Sequence, residues 1–259
     1  MLGSMSSVAL NVDVVLLPQH LSPGQTDGKT VVVFDVLRAT TTITAALHHG
    51  LREVRVFGDL HQARSAADAF DGPKVLCGEH ACVRPAGFDL GNSPSQFDTG
   101  AYTGRTALIS TTNGTKALIA CRGAARILAG ALVNAPAVAR YITKMTRDAG
   151  NAKHEIVLLC AGTNAALAME DLIGCGAVLR SLTDLHPRVT PTTDTARLAL
   201  HLFDSVVNRL PQTLRNTTGG RNILSAGLEP DIDYAARLGV FDTVGIFDAE
   251  SATLRAERT

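Results

Sequence analysis

Val31-Val32-Val33-Phe34-Asp35-Val36-Leu37-Arg38-Ala39-Thr40-Thr41-Thr42 is the stretch that decides the fold. Val31–Val36 is short and rich in β-branched residues, with no polar alternation, which suits a strand covered on both faces. Thr40–Gly50 follows with small residues, Ile43, Leu47 and a glycine stop, the pattern of a helix. The same plan repeats outward in both directions. Val12–Pro18, Val54–Phe57, Lys74–Cys77, Ala107–Ser110, Arg126–Leu128 and Glu155–Cys160 read as strands. His61–Phe70, Asn113–Cys121, Ala135–Ala149 and Ala165–Ser181 read as helices. Arg84–Pro94 is punctuated by Gly and Pro and reads as a loop. In the tail, Thr193–Leu210 and Asp231–Leu238 are expected helices. Gln212–Gly227 holds a Thr-Thr-Gly-Gly turn, and Val244–Phe247 is a last strand. The alternation predicts an α/β fold, a mainly parallel sheet layered between helices. Residues 5–185 are expected to form the core. The helix-rich stretch 186–259 is expected to pack on that core and complete a cleft.

Composition narrows the function classes. The chain has 259 residues, 46% hydrophobic and 4% aromatic, with no Trp. The apolar fraction excludes intrinsic disorder. Lys+Arg and Asp+Glu number 24 each, so the chain lacks the basic footprint of a nucleic-acid binder. The five cysteines, at 77, 82, 121, 160 and 175, are odd in number and several lie in apolar runs. They read as free thiols of a reducing, cytoplasmic compartment. No basic region followed by an apolar stretch opens the chain, and no apolar run approaches the roughly 20 residues of a membrane span. Met1–Ser4 reads as an expression remnant, because a second methionine follows a Gly-Ser pair.

Five segments carry candidate chemistry. Asp35 ends a strand, and Arg38 with Thr40, Thr41 and Thr42 leads into a helix. Ligands of open α/β sheets bind at that edge, where a helix start offers free N–H groups to an anion. The plain alternative is a threonine cap with an Asp–Arg ion pair. Gly78-Glu79-His80 also ends a strand, so Glu79 is expected on the same sheet edge as Asp35, where two carboxylates can share a hard divalent cation. Otherwise Glu79 is a surface residue in a turn. Gly87-Phe88-Asp89-Leu90-Gly91-Asn92-Ser93-Pro94 is a shaped loop with Asn92 and Ser93 at polar tips, and Ser93-Pro94 also fits a helix cap. Thr111-Thr112-Asn113-Gly114-Thr115 repeats the strand, turn and helix plan and could cradle a second anionic group. Glu170-Asp171 lies on a helix after Cys160-Ala161-Gly162-Thr163. Adjacent helical residues point about 100° apart, so one of the two acids should face the site. Acids near a helix start are otherwise simple partners of its dipole.

Taken in order, Asp35–Thr42, Gly78-Glu79, Gly87–Pro94, Thr111–Thr115 and Ala161…Asp171 resemble the 2-phosphosulfolactate phosphatase family, with a weaker match around Asp231–Asp233. The resemblance implies a Mg²⁺-dependent phosphatase that hydrolyses (2R)-O-phospho-3-sulfolactate to (2R)-3-sulfolactate and phosphate, a step of coenzyme M biosynthesis in methanogens. Asp35, Glu79 and one of Glu170/Asp171 are then expected to hold the metal. Arg38, Thr40–Thr42, Asn92, Ser93, Thr112, Asn113, Gly114 and Thr115 are expected to hold the substrate. The family pattern has Arg after Gly-Glu. Here His80 stands instead, so a fixed charge becomes a titratable one. The expected partner is a small anionic phosphoester, with no nucleic acid or membrane, and a homo-oligomer is left open. Two alternatives remain: a phosphatase of another phosphorylated 2-hydroxy acid, and a non-catalytic small-anion-binding protein.

Overall fold

The computed structural model describes residues 9–148 and 153–259. Met1–Ser4 and the Ala149 end of the fourth expected helix lie outside the described residues. In chain order the elements are β1 (Leu10–Val15), β2 (Thr30–Phe34), α1 (Ala39–His48), β3 (Glu53–Val56), α2 (Leu60–Asp68), β4 (Lys74–Gly78), β5 (Thr106–Ser110), α3 (Gly114–Ala120), β6 (Arg126–Gly130), α4 (Ala135–Asp148), β7 (His154–Cys160), α5 (Met169–Leu185), β8 (Val189–Pro191), α6 (Asp194–Val206), α7 (Leu210–Arg215), α8 (Thr218–Ser225), α9 (Glu229–Ala235), β9 (Thr243–Asp248) and β10 (Thr253–Arg258).

The fold is α/β. One sheet runs in the order β4-β5-β3-β10-β9-β6-β2-β7-β1-β8. Most neighbours are parallel; the exceptions are β3–β10, β10–β9 and β9–β6. β2 shows why an unbroken apolar run belongs in the middle. Side chains alternate across a strand. Val32 and Phe34 therefore enter one core with Val138 and Ile142 of α4 and Ile173 and Leu179 of α5. Val31 and Val33 enter the other with Ile43 and Leu47 of α1 and Leu118 of α3. Every residue of β2 is buried.

Four differences from the sequence expectation have local causes. The first strand stops at Val15, because Pro18 opens a 3-10 turn, Pro18–His20. The helix expected from Ala165 starts at Met169. Asn164 and Ala165 hold left-handed φ values of 52° and 59°, which a right-handed helix does not admit. The Thr-Thr-Gly-Gly segment opens α8 instead of forming a free turn: the Thr217 hydroxyl caps the helix by accepting from the Gly220 N–H at 3.0 Å. β8 and β10 were not expected. β8 is a three-residue edge strand that tolerates Pro191, and most of β10 is exposed and charged.

The β9–β10 insertion also reverses the sheet. β4, β5 and β3 run opposite to β6, β2 and β7 in hydrogen-bonding sense, with six steps between β4 and β2. The carboxyl ends of β2 and β4 nevertheless meet: Asp35 and Glu79, the residues that directly follow these strands, line one cleft.

Candidate active site

The strand ends enclose a cleft of about 530 Å³. Its walls come from Asp35 and Arg38 after β2, Glu79 to Val83 and Asn92 after β4, Thr112 and Asn113 after β5, Thr163 and Asn164 after β7, and Gly219, Asn222 and Ser225 of α8.

Asp35 is buried. Its Oδ1 accepts the Ala39 N–H at 3.1 Å, and its own N–H donates to Thr40 Oγ1 at 3.0 Å. Burial pushes its carboxyl up to about 6 against the pull of the Ala39 N–H, and the charges of Glu79 and Glu170 push the same way. Gly114 opens α3 against it: a Cβ there would lie 2.8 Å from Asp35 Oδ2.

Arg38 follows a cis peptide bond and is buried. Its Nη1 donates to Asp231 Oδ2 at 2.7 Å and to Ser93 Oγ at 3.2 Å, and its Nη2 donates to the Cys82 carbonyl at 2.8 Å. Ser93 Oγ donates to the same Asp231 oxygen at 2.7 Å. Asp231, from α9, is thus the ion-pair partner of Arg38. The Asp35–Arg38 pair of the plain sequence reading is not formed.

Glu79 fastens two turns. Its Oε1 accepts from the Thr112 N–H at 2.8 Å and hydroxyl at 2.7 Å, and its Oε2 accepts from the Cys82 N–H at 2.9 Å. His80 and Val83 close a tight turn by mutual backbone hydrogen bonds, with Ala81 and Cys82 at φ of 50° and 67°. Two consecutive non-glycine residues in the left-handed region carry strain of about 1–3 kcal/mol each. Glu79 and Arg38 hold that turn from opposite sides. His80 is exposed on the cleft wall.

The two acids of α5 divide sharply. Asp171 is buried. Its Oδ1 accepts the Val36 N–H at 2.8 Å and its Oδ2 the Gly162 N–H at 3.0 Å, so it ties the β2 and β7 loops together and does not line the cleft. Burial, with Asp35 adding, pushes its carboxyl well up. Glu170 lies against Thr217 and Gly219 at the start of α8, and a Cβ at Gly219 would overlap its Oε1. Its Oε2 is buried with no hydrogen-bond partner, and burial raises its carboxyl. Asn92 Oδ1, on the cleft wall, is also buried without a hydrogen-bond partner.

The threonines correct a sequence expectation. Thr40, Thr41 and Thr42 are fully buried and do not line the cleft. Their hydroxyls serve the Asp35 N–H, the Val36 carbonyl and the Asn92 carbonyl. Thr115 is likewise buried, bonded to the Thr111 carbonyl at 2.9 Å. A hydroxyl at a helix start satisfies backbone as readily as ligand, and sequence does not separate the two. Ser93 reaches Arg38 and Asp231 but is not part of the wall, whereas Thr112 and Asn113 are.

Several wall residues were missed. Asn222, Ser225 and Gly219 follow from recognising Thr217 as a helix cap. Thr163 and Asn164 sit in the left-handed turn before α5. Asp231 carries no local signal for its partner, 193 positions away. Among the described residues no three His, Cys, Asp or Glu side chains form a ready-made metal cage.

A mixed α/β sheet whose strand ends gather acids, an arginine and polar turns around one cleft has the layout in which open α/β sheets bind small ligands. Residues 15–250 match the family model described as 2-phosphosulpholactate phosphatase. A probable 2-phosphosulfolactate phosphatase of Carboxydothermus hydrogenoformans is 33% identical over 235 residues, covering 91% of this chain and 92% of the relative. The protein of the same description from Thermotoga petrophila is 34% identical over 233 residues, covering 90% and 93%. One from Clostridium botulinum strain Eklund 17B is 29% identical over 245 residues, covering 93% and 98%. The class is therefore that of a phosphoric monoester hydrolase. Within it, this chain belongs to the 2-phosphosulfolactate phosphatase family.

Proposed function

We propose that this protein is a Mg²⁺-dependent enzyme that hydrolyses (2R)-O-phospho-3-sulfolactate to (2R)-3-sulfolactate and phosphate. One observation carries the reading. Asp35 and Glu79 line one cleft, and the α5 acid Glu170, packed directly behind the wall residue Gly219, is close enough for its charge to act on Asp35, although the three come from distant stretches of chain.

The donor set fits a hard divalent cation. Glu170 Oε2 and Asn92 Oδ1 are buried acceptors without partners, and the Asp35 carboxyl is held up partly by the charges of Glu79 and Glu170. The charge of Arg38 is offset by Asp231. A substrate bearing phosphate, sulfonate and carboxylate would meet net negative charge here unless a cation balanced it. Mg²⁺ suits one or two carboxylates together with substrate phosphate oxygens. Asp35 and Glu170, with Glu79 beside them, would hold it. When bound, such an ion supplies charge neutralisation at the phosphoryl oxygens and polarisation of phosphorus.

The chain's own residues supply the rest. Thr112 and Asn113 offer donors from the turn before α3. Arg38, fixed by Asp231 and Ser93, lines the cleft and would offer its remaining N–H groups to an anionic substrate. The Asp35 carboxyl, which burial pushes up to about 6 in the metal-free cleft, would give up its proton on taking up the cation and so would serve as its ligand. Phosphoryl transfer depends mostly on positioning and charge stabilisation, and these residues provide both. The five free cysteines support a reducing, cytoplasmic setting.

The offset charge of Arg38 also favours a second reading, a phosphorylated 2-hydroxy acid without the sulfonate. A panel of phosphorylated 2-hydroxy acids, assayed for phosphate release with Mg²⁺ and with EDTA, decides between them. The first reading expects the highest kcat/KM on phosphosulfolactate and no turnover in EDTA. Preference for a non-sulfonated ester would replace it with the second. Binding without phosphate release from any ester would overturn both.

A further inference from the structure

A second cavity, of about 420 Å³, lies away from the cleft and shares no wall residue with it. It is lined by Arg140, Thr143, Lys144 and Arg147 of α4 and by Leu185 at the end of α5. Positions 140, 144 and 147 recur at helical spacing, so their side chains share one face. All three are exposed. Among the described residues none of the three has a salt-bridge or side-chain hydrogen-bond partner, although exposed Asp184 lies on the neighbouring helix. Like charges at this spacing repel. Dipole complementation at the α4 carboxyl end accounts for Arg147 in the last turn but not for Arg140, two turns earlier.

A neighbouring group registers the same field. His186, next to Leu185, is buried, and its ring is held below its ordinary value first by burial and then by the positive charges of Arg147 and Arg188. The cavity wall is thus cationic on the α4 side and apolar at Leu185, which is 43% exposed. Its volume falls in the range of small-ligand pockets.

We propose that this groove between the carboxyl ends of α4 and α5 is a second anion site, built for a compact soluble polyanion bearing two or more phosphate-type charges. Arg140, Lys144 and Arg147 hold the charges, and Leu185 packs against the body of the ligand. The acids of the cleft stand at the opposite end of α5, a helix of 17 residues and so roughly 25 Å long. The site is therefore separate from the one that handles the phosphoester, and its existence does not depend on which ester is hydrolysed.

The test titrates inorganic tripolyphosphate into ¹⁵N-labelled full-length protein and follows backbone amide shifts. The expected result is saturable shifts at Thr143, Lys144 and Leu185, weakened by added salt as for any exposed charge contact. The triple variant R140Q/K144Q/R147Q should bind at least about tenfold more weakly at these amides, since three charge contacts are lost together. The single variant K144Q should show a smaller loss and guards against a folding defect. Phosphate release by both variants should match the parent, because none of these side chains touches the cleft. Shifts confined to residues around Asp35 and Glu79, or equal affinity in parent and triple variant, would overturn the proposal.

Discussion

Asp231 Oδ2 sits 2.7 Å from Arg38 Nη1 and joins residues 193 positions apart in a buried ion pair. Both side chains are almost fully buried, and Ser93 donates a second hydrogen bond to the same carboxylate oxygen. Removing one member of such a pair leaves an uncompensated buried charge, at about 3–5 kcal/mol. D231A should therefore lower stability by that order in urea melts. D231N should keep the fold better but let the guanidinium drift, with a fall of about tenfold or more in kcat/KM. A D231N enzyme with unchanged kcat/KM would show that the orientation of Arg38 is immaterial.

Glu170 and Asp171 are neighbours with opposite tasks. D171A strips two buried N–H groups of their acceptor, each at about 1–3 kcal/mol, and should destabilise the protein strongly. E170Q removes a buried charge whose Oε2 has no partner, so stability should hold or rise. The Mg²⁺ concentration for half-maximal activity should rise in E170Q. Thermal melts and a Mg²⁺ titration of phosphate release check both. Unchanged Mg²⁺ dependence in E170Q would remove Glu170 from the metal set.

Glu79 restrains the strained Ala81–Cys82 turn through the Cys82 N–H. E79A should release it, so that amide exchange at Cys82 and Val83 speeds up along with a loss of activity. Protection at Cys82 equal to the parent would mean that the turn is held by Arg38 alone.

The stability of the sheet should depend on pH through Glu53. This buried β3 carboxylate receives Arg55 Nε at 2.9 Å and Arg255 Nη2 of β10 at 2.7 Å. Burial pushes its carboxyl up, but the hydrogen bonds of the two arginines outweigh that and leave it below its ordinary value. A depressed acid contributes stability above its unfolded value of about 4.3, and that contribution is lost as pH falls through the folded value. Both arginines are partly exposed, so solvent screening keeps the loss modest. Urea midpoints between pH 6 and pH 3 should fall more steeply in the parent than in E53Q. Equal slopes would exclude Glu53 as a contributor.

What could be read from the sequence followed from burial. Val31–Phe34 has no polar position, so nothing but a two-sided core accommodates it, and the strand-to-helix plan around Asp35 came with it. The carboxyl-end motifs were visible because polar residues stopped apolar strands. β10 was hidden because its Arg-Ala-Glu-Arg end looks like a solvated tail, yet it carries the hairpin that reverses the sheet. The hydroxyls of Thr40–Thr42 looked like ligand donors because a helix start offers both roles, and only packing shows that the backbone takes them. Asp231 was not legible as the partner of Arg38, since an ion pair across 193 positions leaves no spacing rule to read.

The most direct test of the central claim is phosphate release from (2R)-O-phospho-3-sulfolactate by the parent and by D35N, each with Mg²⁺ and each shown to be folded. The account predicts brisk, EDTA-sensitive release by the parent and a loss of at least about a hundredfold in D35N. Comparable rates from the two proteins would contradict it.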